Sequence, residues 1–212
     1  DDGGSDFDRA ARQPFAEAVL IGRACPAPTK THLFTYTRSI SRRTLKVLST
    51  PKTGYSPLVY DLGSIPHPSQ LFPAFQDMPN PALLDGAMSG ASGNRFSYLT
   101  ADPFLVIRSR GRLISLEHDG TCEEMEGDPW STLQGLLRKY NTEQVLGLPS
   151  FQGGALGYWG YDLGRHLERL PSWTDDDLQL PEMYLGLYDW ALAYDSDTGR
   201  TCLFSTGLPE GT

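Results

Sequence analysis

Residues 151 to 168 read FQGGALGYWGYDLGRHLE. Five glycines, Gly153, Gly154, Gly157, Gly160 and Gly164, are interleaved with the large flat side chains of Tyr158, Trp159 and Tyr161. Glycine weakens a strand and is kept where backbones approach closely or where φ must be positive. The pattern predicts a strand with Gly154 and Gly157 packed against a neighbour, a corner at Tyr161, Asp162 and Leu163, and a short helix. Asp162 is the expected N-cap, and Leu163, Leu167 and Leu170 recur at helical spacing until Pro171 stops the run. The glycines do not spell a dinucleotide loop. Gly154, Gly157 and Gly160 are three apart, no G-x-G precedes the helix, and the Lys and Ser/Thr of a P-loop are lacking.

Outward from this stretch, alternating apolar residues and turn signals predict a strand-rich chain. Arg42 to Thr50 reads as a first strand, and SIPHPSQLFPAF at 64 to 75, with its three prolines, as a loop with one helical turn. Ala82 to Ala87 is a short buried strand, SGASGN at 89 to 94 a loop, and Arg95 to Thr100 another strand. Phe104 to Ser109, Arg112 to His118 and Thr121 to Glu126 are joined by short turns containing Gly111 and Gly120, the spacing of an antiparallel meander. Asp128 caps and Pro129 opens the clearest helix. Trp130, Leu133, Leu137 and Tyr140 share one face, and Arg138 and Lys139 stand in the last turn, where the macrodipole favours cations. Asp175, Asp176 and Asp177 read as a solvated turn rather than a cation site. Met183 to Tyr194 and Thr201 to Thr206 are strands around a turn at Asp197, Thr198 and Gly199.

The chain has 212 residues, 39% of them hydrophobic, with 22 Gly and 16 Pro, which fits many short elements rather than a helical bundle. Its net charge of −8 is uneven: residues 1 to 50 hold eight Lys/Arg and five Asp/Glu, so residues 51 to 212 hold ten and twenty-one. A body at −11 without a basic stripe argues against nucleic-acid binding. No apolar run is long enough to cross a bilayer, and Ala18 to Ile21 is too short for a signal-peptide core. Cys25, Cys122 and Cys202 are scattered, as are His32, His67, His118 and His166, so no zinc site is expected, and a reduced cytoplasmic setting fits. Cys122 and Cys202 lie in strand-like runs, where buried, inert thiols are expected. Residues 1 to 40 show no sustained period beyond a helix candidate at Phe7 to Ile21 and read as a leader.

The run FQGGALGYWGYDLGRHLERLP, followed by LPEMYLGLYDWALAYD at 180 to 195, resembles the N-terminal domain of component I of the chorismate-utilising amidotransferase enzymes. PALLDGA at 81 to 87, NRFSYL at 94 to 99, Asp102 with Pro103, and DPWSTL at 128 to 133 follow in the family's order, so the resemblance covers roughly residues 42 to 207. The YDLGR and LYDWAL wording is closer to the aminodeoxychorismate synthase branch than to the anthranilate synthase branch. The resemblance implies a domain at 41 to 207 followed, from 208 to 212, by the start of a linker to a chorismate-binding C-terminal domain. With the meander signals it gives an α+β fold of two packed, mainly antiparallel β-sheets with a few outer helices.

Amination of chorismate demands paired Glu ligands for magnesium, Arg/Lys donors for two carboxylates and a general acid or base in one pocket. The sequence offers no such set, so no catalytic residue and no metal site are assigned. Arg165 and Glu168 read as an i, i+3 ion pair, and Asp162 and Asp189 as caps or buried anchors. In the family, magnesium and chorismate belong to the C-terminal domain. The N-terminal domain helps dock a glutamine amidotransferase subunit and in several members holds tryptophan. The positions matching that effector pocket are Leu84, Asp85, Gly86, Asn94 and Arg95. Gly86 stands where tryptophan-holding members often have serine, which removes one donor or acceptor. Gly153, Gly154, Gly157, Tyr161 and Asp162 form the structural motif. A free-standing amino-acid-binding or scaffold module is the other reading, whereas a hydrolase lacks its GxSxG elbow.

Overall fold

The computed structural model describes residues 46–49 as backbone, together with 57–86, 95–169, 171, 176 and 178–209. The 1–40 leader with its helix candidate, Cys25, Asn94 and Leu170 lie outside the described residues. Two compact units hold one antiparallel sheet each.

The first unit includes Thr142–Gly153 and the described residues from Asp189 onward, besides the described residues up to Asp102. Its six strands are β1 (Lys46–Ser49), β2 (Leu58–Gly63), β3 (Ala82–Leu84), β4 (Phe96–Thr100), β10 (Trp190–Asp195) and β11 (Arg200–Ser205), in the order β1-β2-β11-β10-β4-β3. The Pro-rich segment at 64 to 75 forms α1 (Pro68–Leu71) and a 3-10 helix, Phe72–Ala74. Phe75 and Trp190, with ring centroids 5.8 Å apart, pack with Leu71, Leu99, Ala101 and Leu192 into one apolar cluster. Val59, Ala193 and Phe204 form another, against which Val145 and Leu148 of the 142–153 segment pack. Burying a side chain such as the fully enclosed Phe75 or Phe204 contributes about 1.5–3 kcal/mol. Gln152 fixes the 142–153 segment. Its Oε1 accepts the Val145 amide at 2.9 Å, and its Nε2 donates to the carbonyls of Val145 and Pro149.

The second unit, Pro103–Asn141 with Gly154–Tyr188, contains β5 (Leu105–Arg110), β6 (Leu113–His118), β7 (Thr121–Glu126), β8 (Gly154–Trp159) and β9 (Met183–Tyr188), in the order β7-β6-β5-β9-β8. The meander β5-β6-β7 is present with the expected turns. Helix α2 runs Pro129–Lys139. The Asp128 side chain accepts the Ser131 hydroxyl at 2.6 Å and the Ser131 amide at 2.9 Å, and these bonds, the hydroxyl's first, hold its carboxyl below the usual range. Leu133 buries its face, and Tyr140 at the C-cap meets Phe104 edge-on at 5.0 Å.

Several expectations change in the two sheets. The strand expected from Met183 to Tyr194 is two strands, one in each sheet, broken at Asp189, whose carbonyl accepts the Thr206 amide and hydroxyl one step beyond the Trp190–Ser205 pair of the β10-β11 ladder. β2 was not anticipated in LVYDLG, although Val59 and Tyr60 are buried there. Cys122 is exposed because β7 is an edge strand with all six residues open to solvent. Cys202 is half-buried, and burial raises its thiol pKa.

Candidate effector site

LLDGA and NRFSYL come together in the β3-β4 ladder, where Leu84 lies opposite Tyr98. Asp85 and Gly86 follow the end of β3 and turn toward Ser97, which is fully buried. The Gly86 amide donates to Ser97 Oγ at 3.3 Å, and Ser97 Oγ donates to Asp85 Oδ1 at 2.9 Å. A buried hydroxyl thereby orients a carboxylate whose side chain is 45% exposed.

His67 completes this corner. Its Nδ1 accepts the Ser69 amide at 3.3 Å as the N-cap of α1, so in the neutral ring the proton resides on Nε2. That Nε2 stands 3.8 Å from Asp85 Oδ1, beyond hydrogen-bond reach, and is buried without a hydrogen-bond partner. The imidazole meets Tyr194 edge-on at 4.7 Å, and Tyr194 lies opposite Ser97 in the β10-β4 ladder. Asp85, held by a hydroxyl and facing an imidazole N–H, is an acceptor suited to a protonated amino group.

Arg95 is engaged elsewhere. Its Nε and Nη2 each donate at 2.6 Å to the two oxygens of Asp195, and Asp197 stands 3.1 Å away. Its carbonyl accepts the Ser196 amide and hydroxyl. The hydrogen bond from Arg95 lowers the Asp195 carboxyl to about 2, and the same bond raises the Arg95 guanidinium. Of the matched positions, then, Leu84, Asp85 and Gly86 gather around Ser97, Arg95 clamps the β10-β11 turn, and Asn94 lies outside the described residues. Ser97, His67 and Tyr194 were not singled out. Ser97 sits within NRFSYL, and His67 immediately precedes Pro68, where a capping side chain belongs.

The β8 motif takes a different form from the one expected. Gly153 and Gly154 have φ of 119° and 108°, where the chain passes from the first unit to the second. A Cβ at Gly154 would meet nothing within 4 Å, so its role is conformational, not close packing. Gly157 does pack closely, against Tyr184 of β9. The helix is a 3-10 helix, Tyr161–His166, with Gly160 at its N-cap. Asp162 therefore lies inside the first turn and makes no cap. It pairs with Arg165 at 2.7 Å, the partner that had been expected in Glu168. Leu163 is buried, whereas Leu167 is exposed, because the tighter helix does not keep the 3.6-residue period. Tyr161 is 87% exposed. Among the described residues, no three His, Cys, Asp or Glu side chains gather as metal ligands, and no helix is long and apolar enough to cross a membrane.

No family model matches the chain. Curated relatives do. Anthranilate synthase component 1 of Acetivibrio thermocellus is 38% identical over 129 residues, 60% of this chain and 26% of that protein. Aminodeoxychorismate synthase component 1 of Klebsiella aerogenes is 35% identical over 140 residues, 66% of this chain and 31% of that protein. The protein of the same name from Salmonella typhimurium is 40% identical over 114 residues, 53% of this chain and 25% of that protein. Over the matched region the chain is homologous to component 1 of these two synthases. The chain spans about a quarter to a third of the length of the component 1 proteins it matches, and its identity to the two branches overlaps.

Proposed function

We propose that this chain is the N-terminal, non-catalytic portion of an aminodeoxychorismate synthase component 1. With a glutamine amidotransferase subunit, that enzyme aminates chorismate to 4-amino-4-deoxychorismate for para-aminobenzoate and folate synthesis in the cytoplasm. The observation that carries the reading is 35–40% identity to aminodeoxychorismate synthase component 1 of two bacteria, and the YDLGR and LYDWAL wording of the chain supports it. Magnesium, which such chemistry uses to bind and polarise chorismate, finds no ligand cluster among the described residues. In this reading, the residues of this chain build sheet framework and an effector corner at Asp85, with tryptophan as its ligand.

The anthranilate branch is the second reading, favoured by the 38% identity to the Acetivibrio thermocellus protein. Both are tested by incubating the polypeptide made from the whole reading frame that encodes this chain with chorismate, glutamine, magnesium and an amidotransferase subunit. 4-Amino-4-deoxychorismate as the product supports the first reading and anthranilate the second. If neither forms, a free-standing amino-acid-binding or scaffold module is favoured.

A further inference from the structure

The His67 ring is tied to α1 on one side and faces Asp85 on the other. Its Nδ1 accepts the Ser69 amide at 3.3 Å and lies 2.8 Å from the Ser69 hydroxyl. Across the ring, Nε2 stands 3.8 Å from Asp85 Oδ1, buried and without a hydrogen-bond partner. A buried donor is costly to leave unpaired, and this one faces the same carboxylate oxygen that accepts from Ser97 Oγ. Among the described residues, the other titratable group shown against the ring is Tyr194 of β10, edge-on at 4.7 Å.

We propose that His67 is the positioning residue of this corner and regulates it by protonation: the imidazolium pairs with Asp85, so a proton on His67 and the ammonium of a ligand compete for one carboxylate. The inference rests on the effector reading for its ligand. The change needs no movement of the ring. A neutral ring uses the Nδ1 lone pair to cap α1, whereas an imidazolium donates from both nitrogens. At Nδ1 the Ser69 amide is then displaced, and the Ser69 hydroxyl, already within reach, turns from donor to acceptor. At Nε2 the uncharged N–H becomes half of an ion pair, and the Asp85 side chain closes the 3.8 Å gap. A cation so near also repels an incoming ammonium. The sign follows: Asp85 accepts an ammonium while the ring is neutral and loses affinity for it as pH falls through the imidazole range.

Nitrogen-15 NMR of the 212-residue chain tests this linkage without a ligand, between about pH 5 and 8, where an ordinary imidazole titrates and an ordinary carboxylate stays ionised. At the alkaline end Nε2 should carry the ring proton. As pH falls, the Ser69 and Gly86 amides should shift with the ring nitrogens at one common midpoint, since Gly86 donates to the Ser97 hydroxyl that holds Asp85. His67→Asn keeps a capping side chain without a titrating ring, so its Gly86 amide should stay still. The parent should bind tryptophan about tenfold more weakly at the acid end than at the alkaline end, and His67→Asn equally at both. A ring proton on Nδ1 at the alkaline end, a Gly86 amide that ignores the ring or shifts equally in His67→Asn, or tryptophan bound equally by the parent at both ends would overturn the proposal. Because the resonances involve no ligand, failure of the linkage is distinguishable from failure of the effector reading, which shows as no tryptophan binding at either end with the linked shifts intact.

Discussion

The carbonyl oxygen of Tyr184 lies where a side chain at Gly157 would have to begin: a Cβ built there falls 2.0 Å from that oxygen and 2.8 Å from Leu185 Cα. Both obstacles are backbone of β9, which cannot rotate aside as a side-chain tip can. Three residues earlier on the same strand, Gly154 has open space and a φ of 108°. One strand therefore holds two glycines for two different reasons.

Substitutions at the two positions should differ in their dependence on size. Gly157→Ala is expected to cost about 1–3 kcal/mol by overpacking, and Gly157→Val more. Gly154→Ala and Gly154→Val should cost about the same as each other, about 1–3 kcal/mol, since only the backbone conformation is penalised. Urea denaturation of the four variants measures this. Equal costs for Ala and Val at 157 would remove the close-packing explanation.

The Arg95–Asp195 pair should make stability depend on acid pH in a defined window. The Asp195 carboxyl sits at about 2 in the folded protein against an ordinary 3.8. A carboxyl depressed by folding contributes stability that is complete above its unfolded value and is lost as pH falls through its folded one. The gap in urea midpoint between the parent and Asp195→Asn should hold above about pH 5 and close by about pH 2. A gap that is constant across that range would show that the pair does not bind its proton as described.

Ser97 already takes the Gly86 amide and gives its hydrogen to Asp85, so the corner lacks the extra hydroxyl that a serine at 86 would supply. Calorimetric titration with tryptophan should show weak binding to the unmodified protein. Gly86→Ser should tighten it about ten- to a hundredfold, the worth of one hydrogen bond to a charged group. Tight binding by the unmodified protein, or tryptophan retained through purification, would mean that Ser97 and His67 compensate fully.

What could be read from the sequence was what local rules determine. Asp128, Pro129 and the Leu133 face gave helix α2 its start and its buried side, and Gly111 and Gly120 gave the meander its turns, because caps and turns are written in adjacent residues. The break at Asp189 was hidden, since Met183 to Ala193 is almost uniformly buried and shows no change of period where the chain leaves one sheet for the other. Cys122 was misplaced for a related reason: strand pattern does not reveal which strand stands at an edge. At the candidate corner, Asp85 and Gly86 are neighbours in LLDGA and both reach Ser97, whereas Arg95 is bound by Asp195, 100 residues away, a partner that only tertiary pairing brings near.

The central claim is that these 212 residues form framework and effector corner and perform no chemistry on chorismate. The most direct measurement is to incubate the purified chain alone with chorismate, ammonium and magnesium and to quantify 4-amino-4-deoxychorismate and anthranilate chromatographically. The account predicts neither product above a buffer control; either product formed above that control, in proportion to protein concentration, would contradict it.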